Sequence, residues 1–167
     1  LKQKILEEKF TTIPKNIYMT THLPLEVIPD LLGNKANEYN IYVYNDKSAR
    51  KFIQEHWGEH ILKHFDRLVK GAHKMDLWRY CILYVMGGVY LDIKTIPLID
   101  LNSIFDSNDT WYTSNSFVRG FFQGIIATPK ANRILLHCIH NITKTDNKKL
   151  GNNYLKFCVQ IKNTSEM

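Results

Sequence analysis

From Lys74 to Met86 almost every residue is apolar, and at Gly87-Gly88 the pattern changes to a short alternating run, Val89 to Ile93. The whole stretch, residues 74–94, reads KMDLWRYCILYVMGGVYLDIK. A helix with so few polar gaps must be buried on most sides. Glycine ends such a helix readily, because it adopts positive φ without a Cβ clash. The strand that follows is apolar enough to be central. A buried helix feeding a central strand is the joint of an α/β architecture, and the remaining elements have to be arranged around it.

The flanks fit that joint. Asn16 to Thr20 reads as a short strand after Pro14, and Tyr39 to Tyr44 as a second, ending at the turn signal Asn45-Asp46. Leu23 to Leu32 carries a weak helical pattern that stops at Gly33-Asn34. Ser48 to Trp57 reads as helix, broken at Gly58, and Ile61 to Val69 continues it. Trp111 to Thr113 and Gln123 to Ala127 read as further strands. Ala131 to Ile142 is a helix with Ile134, Leu135, Cys138, Ile139 and Ile142 on one face. Strands alternate with helices, which predicts α/β with a largely parallel sheet. There is no internal repeat, low-complexity tract or linker, so residues 1–167 read as a single domain, long enough to bury a core.

Charge narrows the partners. The formal net charge is +6, but the basic residues are scattered, and only Lys144, Lys148 and Lys149 crowd together. Such a surface argues against nucleic acid, which wants a basic stripe with stacking aromatics. It is weakly compatible with an anionic nucleotide diphosphate. No run of about 18 apolar residues exists, so no membrane span is expected in this chain. The expectation is a soluble domain, cytoplasmic, or Golgi-lumenal where an anchor precedes the chain. Cys81, Cys138 and Cys158 form no disulfide framework and no zinc spacing. His56, His60 and His64 recur at four-residue spacing, but Gly58 interrupts their helix, and a solvated face is the plainer reading. Trp57, Trp78 and Trp111 read as core or rim packing, with Trp111 the best placed of the three to touch a sugar. No P-loop, serine elbow or Cys–His dyad occurs.

Ligands of open α/β sheets sit beyond the carboxyl ends of the strands, and Asp92 lies at such an end. Period-2 alternation puts Tyr90, Asp92 and Lys94 on one face if the strand runs that far. The preceding helix supplies Asp76 and Arg79, three apart and so on one face. Charges in an apolar helix need partners, because burying an unpaired charge is costly. The set is either a structural ion-pair network or the lining of a polar pocket, and its convergence at one sheet edge favours the pocket.

Here the sequence becomes recognisable. KMDLWRYCILYVMGGVYLDIK closely resembles the signature of glycosyltransferase family 32, the DXD-containing sugar transferases, seen also in related toxin glucosyltransferases. That signature reads roughly A-D-hydrophobic-hydrophobic-R-Y, an aliphatic helix, then G-G-[VI]-Y-[LM]-D-x-D. Ile13 to Ile17 resembles the family's opening strand, and Tyr39 to Asp46 its second strand and turn. The resemblance implies a Rossmann-like GT-A nucleotide-diphospho-sugar transferase domain. It implies transfer of a hexose, with retention of configuration, from a UDP- or GDP-sugar donor to a glycan, lipid or protein hydroxyl. By position, Thr20, Thr21, Asp76, Arg79, Tyr90 and Asp92 become candidate donor-binding residues. Asp92, Lys94 and Arg79 become candidate catalytic residues, and Asp92 a candidate metal ligand. The resemblance also implies segments past the last helix that close over the donor, where this chain has only GNNYLKFCVQIKNTSEM.

One position departs from the family. Its second acid, the more direct ligand of Mn²⁺ or Mg²⁺, is Lys94 here. A protonated amine binds no metal. Either Lys94 supplies the positive charge itself, or another acid such as Asp100 completes a site around Asp92, or catalysis is lost and a sugar-nucleotide or glycan-binding pocket remains.

Overall fold

The structure is a computed structural model that describes residues 12–22, 32–105, 111–115 and 121–145. Its elements run β1 (Asn16–Thr20), a 3₁₀ turn (Gly33–Ala36), β2 (Asn40–Tyr44), α1 (Asp46–Arg67), α2 (Gly71–Met86) and β3 (Gly88–Leu91). A second 3₁₀ turn (Leu101–Ser103), β4 (Tyr112–Asn115), β5 (Phe121–Thr128) and α3 (Arg133–Lys144) follow. The sheet order is β2-β1-β3-β5-β4. β1 pairs parallel with both β2 and β3, while β5 pairs antiparallel with β3 and with β4. Four strands therefore point one way and β5 the other, and β3 is the middle strand, as its sequence requires.

The two faces of the sheet hold two apolar clusters. Tyr18, Tyr90 and Ile126, at matching register on β1, β3 and β5, face the helices with Trp78, Leu77 and Leu83 of α2, Ile53 and Phe65 of α1, and Leu135 and Ile139 of α3. Ile17, Met19, Val89, Leu91 and Ala127 point to the opposite face, where Leu32, Ala36, Leu101 and Phe105 cover them. α2 is the core helix that its composition demands, with ten buried residues in sixteen.

Local signals act where they were read. Asn45 caps α1, its side chain accepting from the Ser48 N–H at 3.0 Å while Ser48 Oγ accepts from the Asn45 N–H at 2.9 Å. Gly58, at φ 68°, divides α1 into two helical pieces. His60 and His64 then sit edge to face at 5.3 Å, and no group of three metal-ligating side chains occurs among the described residues. The helix expected over Leu23 to Leu32 lies outside the described residues except for Leu32. No helix among the described residues is long and apolar enough to cross a membrane.

Gly87 and Gly88 make the joint between α2 and β3. The Gly87 N–H donates to the Leu83 carbonyl at 2.8 Å, and Gly88 takes φ 109°. A Cβ on Gly88 would lie 2.6 Å from the Asn16 carbonyl oxygen, which is main chain and has nowhere to go. Gly88→Ala is therefore expected to cost roughly 2 kcal/mol or more through backbone strain and a disturbed β1–β3 ladder, read as a lower denaturant midpoint. An unchanged midpoint would contradict this account of the joint.

Candidate active site

β3 ends at Leu91, two residues short of the expected Ile93. The chain turns there, because the Thr95 N–H donates back to the Asp92 carbonyl at 2.8 Å. Tyr90 and Asp92 still share a side, but the alternation that was to place Lys94 beside them stops. Lys94 stands in the turn, exposed, and its ammonium makes no ion pair among the described residues. Asp92 is held one step longer than Lys94, since its N–H donates to the Gly124 carbonyl of β5 at 2.8 Å.

Five of the candidate side chains converge. The Tyr90 hydroxyl donates to Asp92 Oδ1 at 2.7 Å, and Thr20 Oγ1, at the end of β1, lies 3.4 Å from the same hydroxyl. The Arg79 guanidinium reaches across from α2. Its Nη2 lies 3.0 Å from Asp76 Oδ1 and 3.7 Å from Asp92 Oδ1, its Nη1 donates to the Gln123 carbonyl at 2.6 Å, and its carbon sits 4.3 Å from the Tyr90 ring centre. One cation thus ties together α2, β3 and β5. Thr21 is buried, its N–H donating to the Tyr44 carbonyl at 2.9 Å, and so fixes the end of β1 against β2.

The network is graded from dry to wet. Asp76 is wholly buried, whereas the Asp92 side chain is 40% exposed. Burial pushes the Asp76 carboxyl up to about 6, Arg79 opposes the rise, and Asp92 adds to it. Despite the 3.0 Å approach of Arg79, neither Asp76 oxygen accepts an aligned hydrogen bond among the described residues, so the contact is Coulombic. Burial works against the charged form of Arg79, but Asp76, Tyr90 and Asp92 outweigh it and hold the group cationic. Burial also raises the Tyr90 hydroxyl above its ordinary range. Arg79, Tyr90 and Asp76 therefore face Asp92 rather than solvent. Of the two carboxylates, Asp92 is the one open to solvent, with Thr20 beside it, and the buried three set its position and field.

Among the described residues, this donor set does not fit a protein-held Mn²⁺ or Mg²⁺. Such ions want several oxygens at one point. Here Asp92 Oδ1 is engaged by a hydroxyl and lies 3.7 Å from a guanidinium, and the next acid position is a lysine. Asp100 is drawn elsewhere. Its Oδ1 accepts from the Asn102 N–H at 2.7 Å, and its charge is felt by Tyr39, which packs against the opposite face of the sheet.

Three participants were absent from the sequence reading. Gln123 contributes a main-chain carbonyl, which no side-chain pattern announces. Gly124 lies against the Asp92 carboxylate; a glycine inside a strand pattern does signal close approach, and it was the available clue. Phe122 stands 44% exposed on the same strand, whereas Trp111 packs partly buried against the helix-side core.

Residues 26–111 match the family described as glycosyltransferase sugar-binding region containing DXD motif. Over 127 residues the chain is 31% identical to the initiation-specific alpha-1,6-mannosyltransferase of Candida albicans, an alignment covering 70% of this chain and 33% of that protein. The chain thus spans about one third of the length of that curated relative. Among solved structures, PaToxG glycosyltransferase superposes with a TM-score of 0.61 at 17% identity, covering 91% of this chain and 70% of that one. At that identity the likeness is one of fold, and it agrees with a GT-A-like arrangement of the mixed sheet.

Proposed function

The chain belongs to the glycosyltransferase family whose sugar-binding region contains the DXD motif, and from that membership we propose that it moves a hexose from a UDP- or GDP-sugar to an acceptor hydroxyl on a glycan, lipid or protein. The observation that carries this reading is the exposed Asp92 carboxylate at the carboxyl end of the middle strand, braced from below by Tyr90 and Arg79. That is where an open α/β sheet binds its ligand. Asp92 and Thr20 would receive ribose or sugar hydroxyls. Arg79, Asp76 and Tyr90 act through Asp92 as positioning residues, and Thr21 fixes the strand end that carries Thr20.

Retention of configuration and a front-face course follow from the family resemblance. As the bond to the anomeric carbon breaks, its electron pair goes to the β-phosphate oxygen of the leaving nucleotide. The acceptor oxygen bonds to the same face of that carbon, and its proton passes to the departing phosphate. The developing charge needs a cation nearby. Lys94, two residues beyond Asp92 in an exposed turn and without an ion pair among the described residues, would supply it as a point charge.

Donor hydrolysis or transfer is expected to survive EDTA, and Lys94→Ala to lower it about 10²-fold or more while the melting temperature stays put. Activity that vanishes with EDTA and returns with Mn²⁺ would overturn the lysine role. The same replacement of an acid by Lys94 supports a second reading, a sugar-nucleotide-binding homologue without turnover. Thermal stabilisation by a panel of nucleotide sugars, followed by the hydrolysis assay, separates the two, since a ligand that prefers the folded state raises its melting point. Stabilisation without turnover favours the binding module.

A further inference from the structure

Phe122 leaves much of its ring in water at the edge of the site. Phe122, Gly124 and Ile126 alternate along β5 on the face that carries Tyr90 and Asp92. A Cβ built on Gly124 would lie 2.8 Å from Asp92 Oδ2 and would run into the Cζ and Cε1 atoms of Phe122. The absent side chain thus lets the ring edge and the carboxylate converge over one backbone position. The two Asp92 oxygens differ: Oδ1 takes the Tyr90 hydroxyl and faces Arg79, while no hydrogen bond reaches Oδ2 among the described residues. The result, among the described residues, is a carboxylate oxygen without a protein hydrogen bond beside a half-exposed aromatic surface.

A pyranose suits both features. Its C–H face is apolar and gains by leaving water against an aromatic ring, and its hydroxyl edge donates to a carboxylate in a charge-assisted bond. A free phosphate would be repelled by Asp92. A plain apolar partner would leave Oδ2 desolvated and unpaired. We propose that Phe122 and Asp92 Oδ2 form a pyranose subsite over Gly124, in which Phe122 sets the preference for the sugar. The pyranose belongs either to the donor, in which case the subsite rests on the transfer reading, or to the acceptor glycan.

The bland alternative is that the ring merely covers a strand glycine, as aromatics do on sheets. Phe122→Leu keeps an apolar cover and removes the aromatic face, and Phe122→Tyr restores it. Affinities of the full chain would be measured by calorimetry for UDP, GDP, UDP-glucose and GDP-mannose, and by ligand-detected NMR for methyl α-mannoside and methyl α-glucoside. The expected result is a loss in Phe122→Leu of about tenfold in sugar-dependent affinity, recovered in Phe122→Tyr, with UDP and GDP unchanged. A loss confined to the nucleotide sugars assigns the donor pyranose, and one confined to the glycosides the acceptor. Equal weakening of UDP or GDP would place the ring under the base and overturn the proposal, as would unchanged affinities throughout. If the unmodified chain binds no nucleotide sugar, the transfer reading falls, and the subsite then stands or falls on the glycoside measurements alone.

Discussion

Arg79→Met is expected to destabilise the protein by about 3–5 kcal/mol, a large share of what holds a domain of this size together. The guanidinium is buried, and it is the counter-charge for a carboxylate with no solvent contact. Methionine fills much of the volume but leaves Asp76 uncompensated. The loss should depend on pH with a definite sign. Asp76 titrates at about 6 in the folded chain against an ordinary 3.8. Between those values the folded chain holds a proton that the unfolded chain has given up, so stability falls as pH rises through the window and levels off above it. Without Arg79 the folded value climbs further and the window extends upward. Denaturant titrations should therefore show a small deficit near pH 4 and a much larger one at pH 8. Adding Asp76→Asn to Arg79→Met should recover a substantial part of it, because the charge that lacked a partner is gone. A deficit that is the same at both pH values, or a double variant no better than the single, would mean that Arg79 stabilises by packing rather than by charge.

The buried joint was legible in the sequence because its determinants are local. An all-apolar helix, two glycines and a β-rich run follow directly from residue type and period, and α2, Gly87-Gly88 and β3 lie where that pattern puts them. The pairing of Asp76 with Arg79 was legible for the same reason, since helical spacing fixes it. Less local facts were hidden. β5 runs against its neighbours, and nothing within the run Gln123 to Ala127 encodes a direction. Strand β3 stops at Leu91 although alternation in the letters continues to Lys94, because the stop is made by a turn hydrogen bond from Thr95 to Asp92 rather than by any breaker residue. The depth of Asp76 and Tyr90 was also out of reach. Residue type says that a carboxylate needs a partner, not that the partner will be an arginine anchored to a carbonyl forty-four positions away.

The larger effect on activity is expected at Asp92, where Asp92→Asn should lower transfer or donor hydrolysis by about 10²–10³-fold and leave the fold intact. The two halves of that statement rest on different atoms. Asparagine keeps an Oδ1 that still accepts the Tyr90 hydroxyl, and the side chain is 40% exposed, so little folding energy is at stake. What disappears is the charge, and with it the charge-assisted bonds to ligand hydroxyls, about twice as strong as neutral ones. Asp92→Ala goes further, since among the described residues it leaves the Tyr90 hydroxyl with only the 3.4 Å approach of Thr20. The alanine variant should therefore melt lower than the asparagine variant while being no more active. Melting curves and a radiolabelled-sugar transfer assay on the same preparations check both orderings. If Asp92→Asn retained full activity, the carboxylate would be a structural end of the Arg79 network and nothing more, and the ligand would have to be sought away from the carboxyl end of β3.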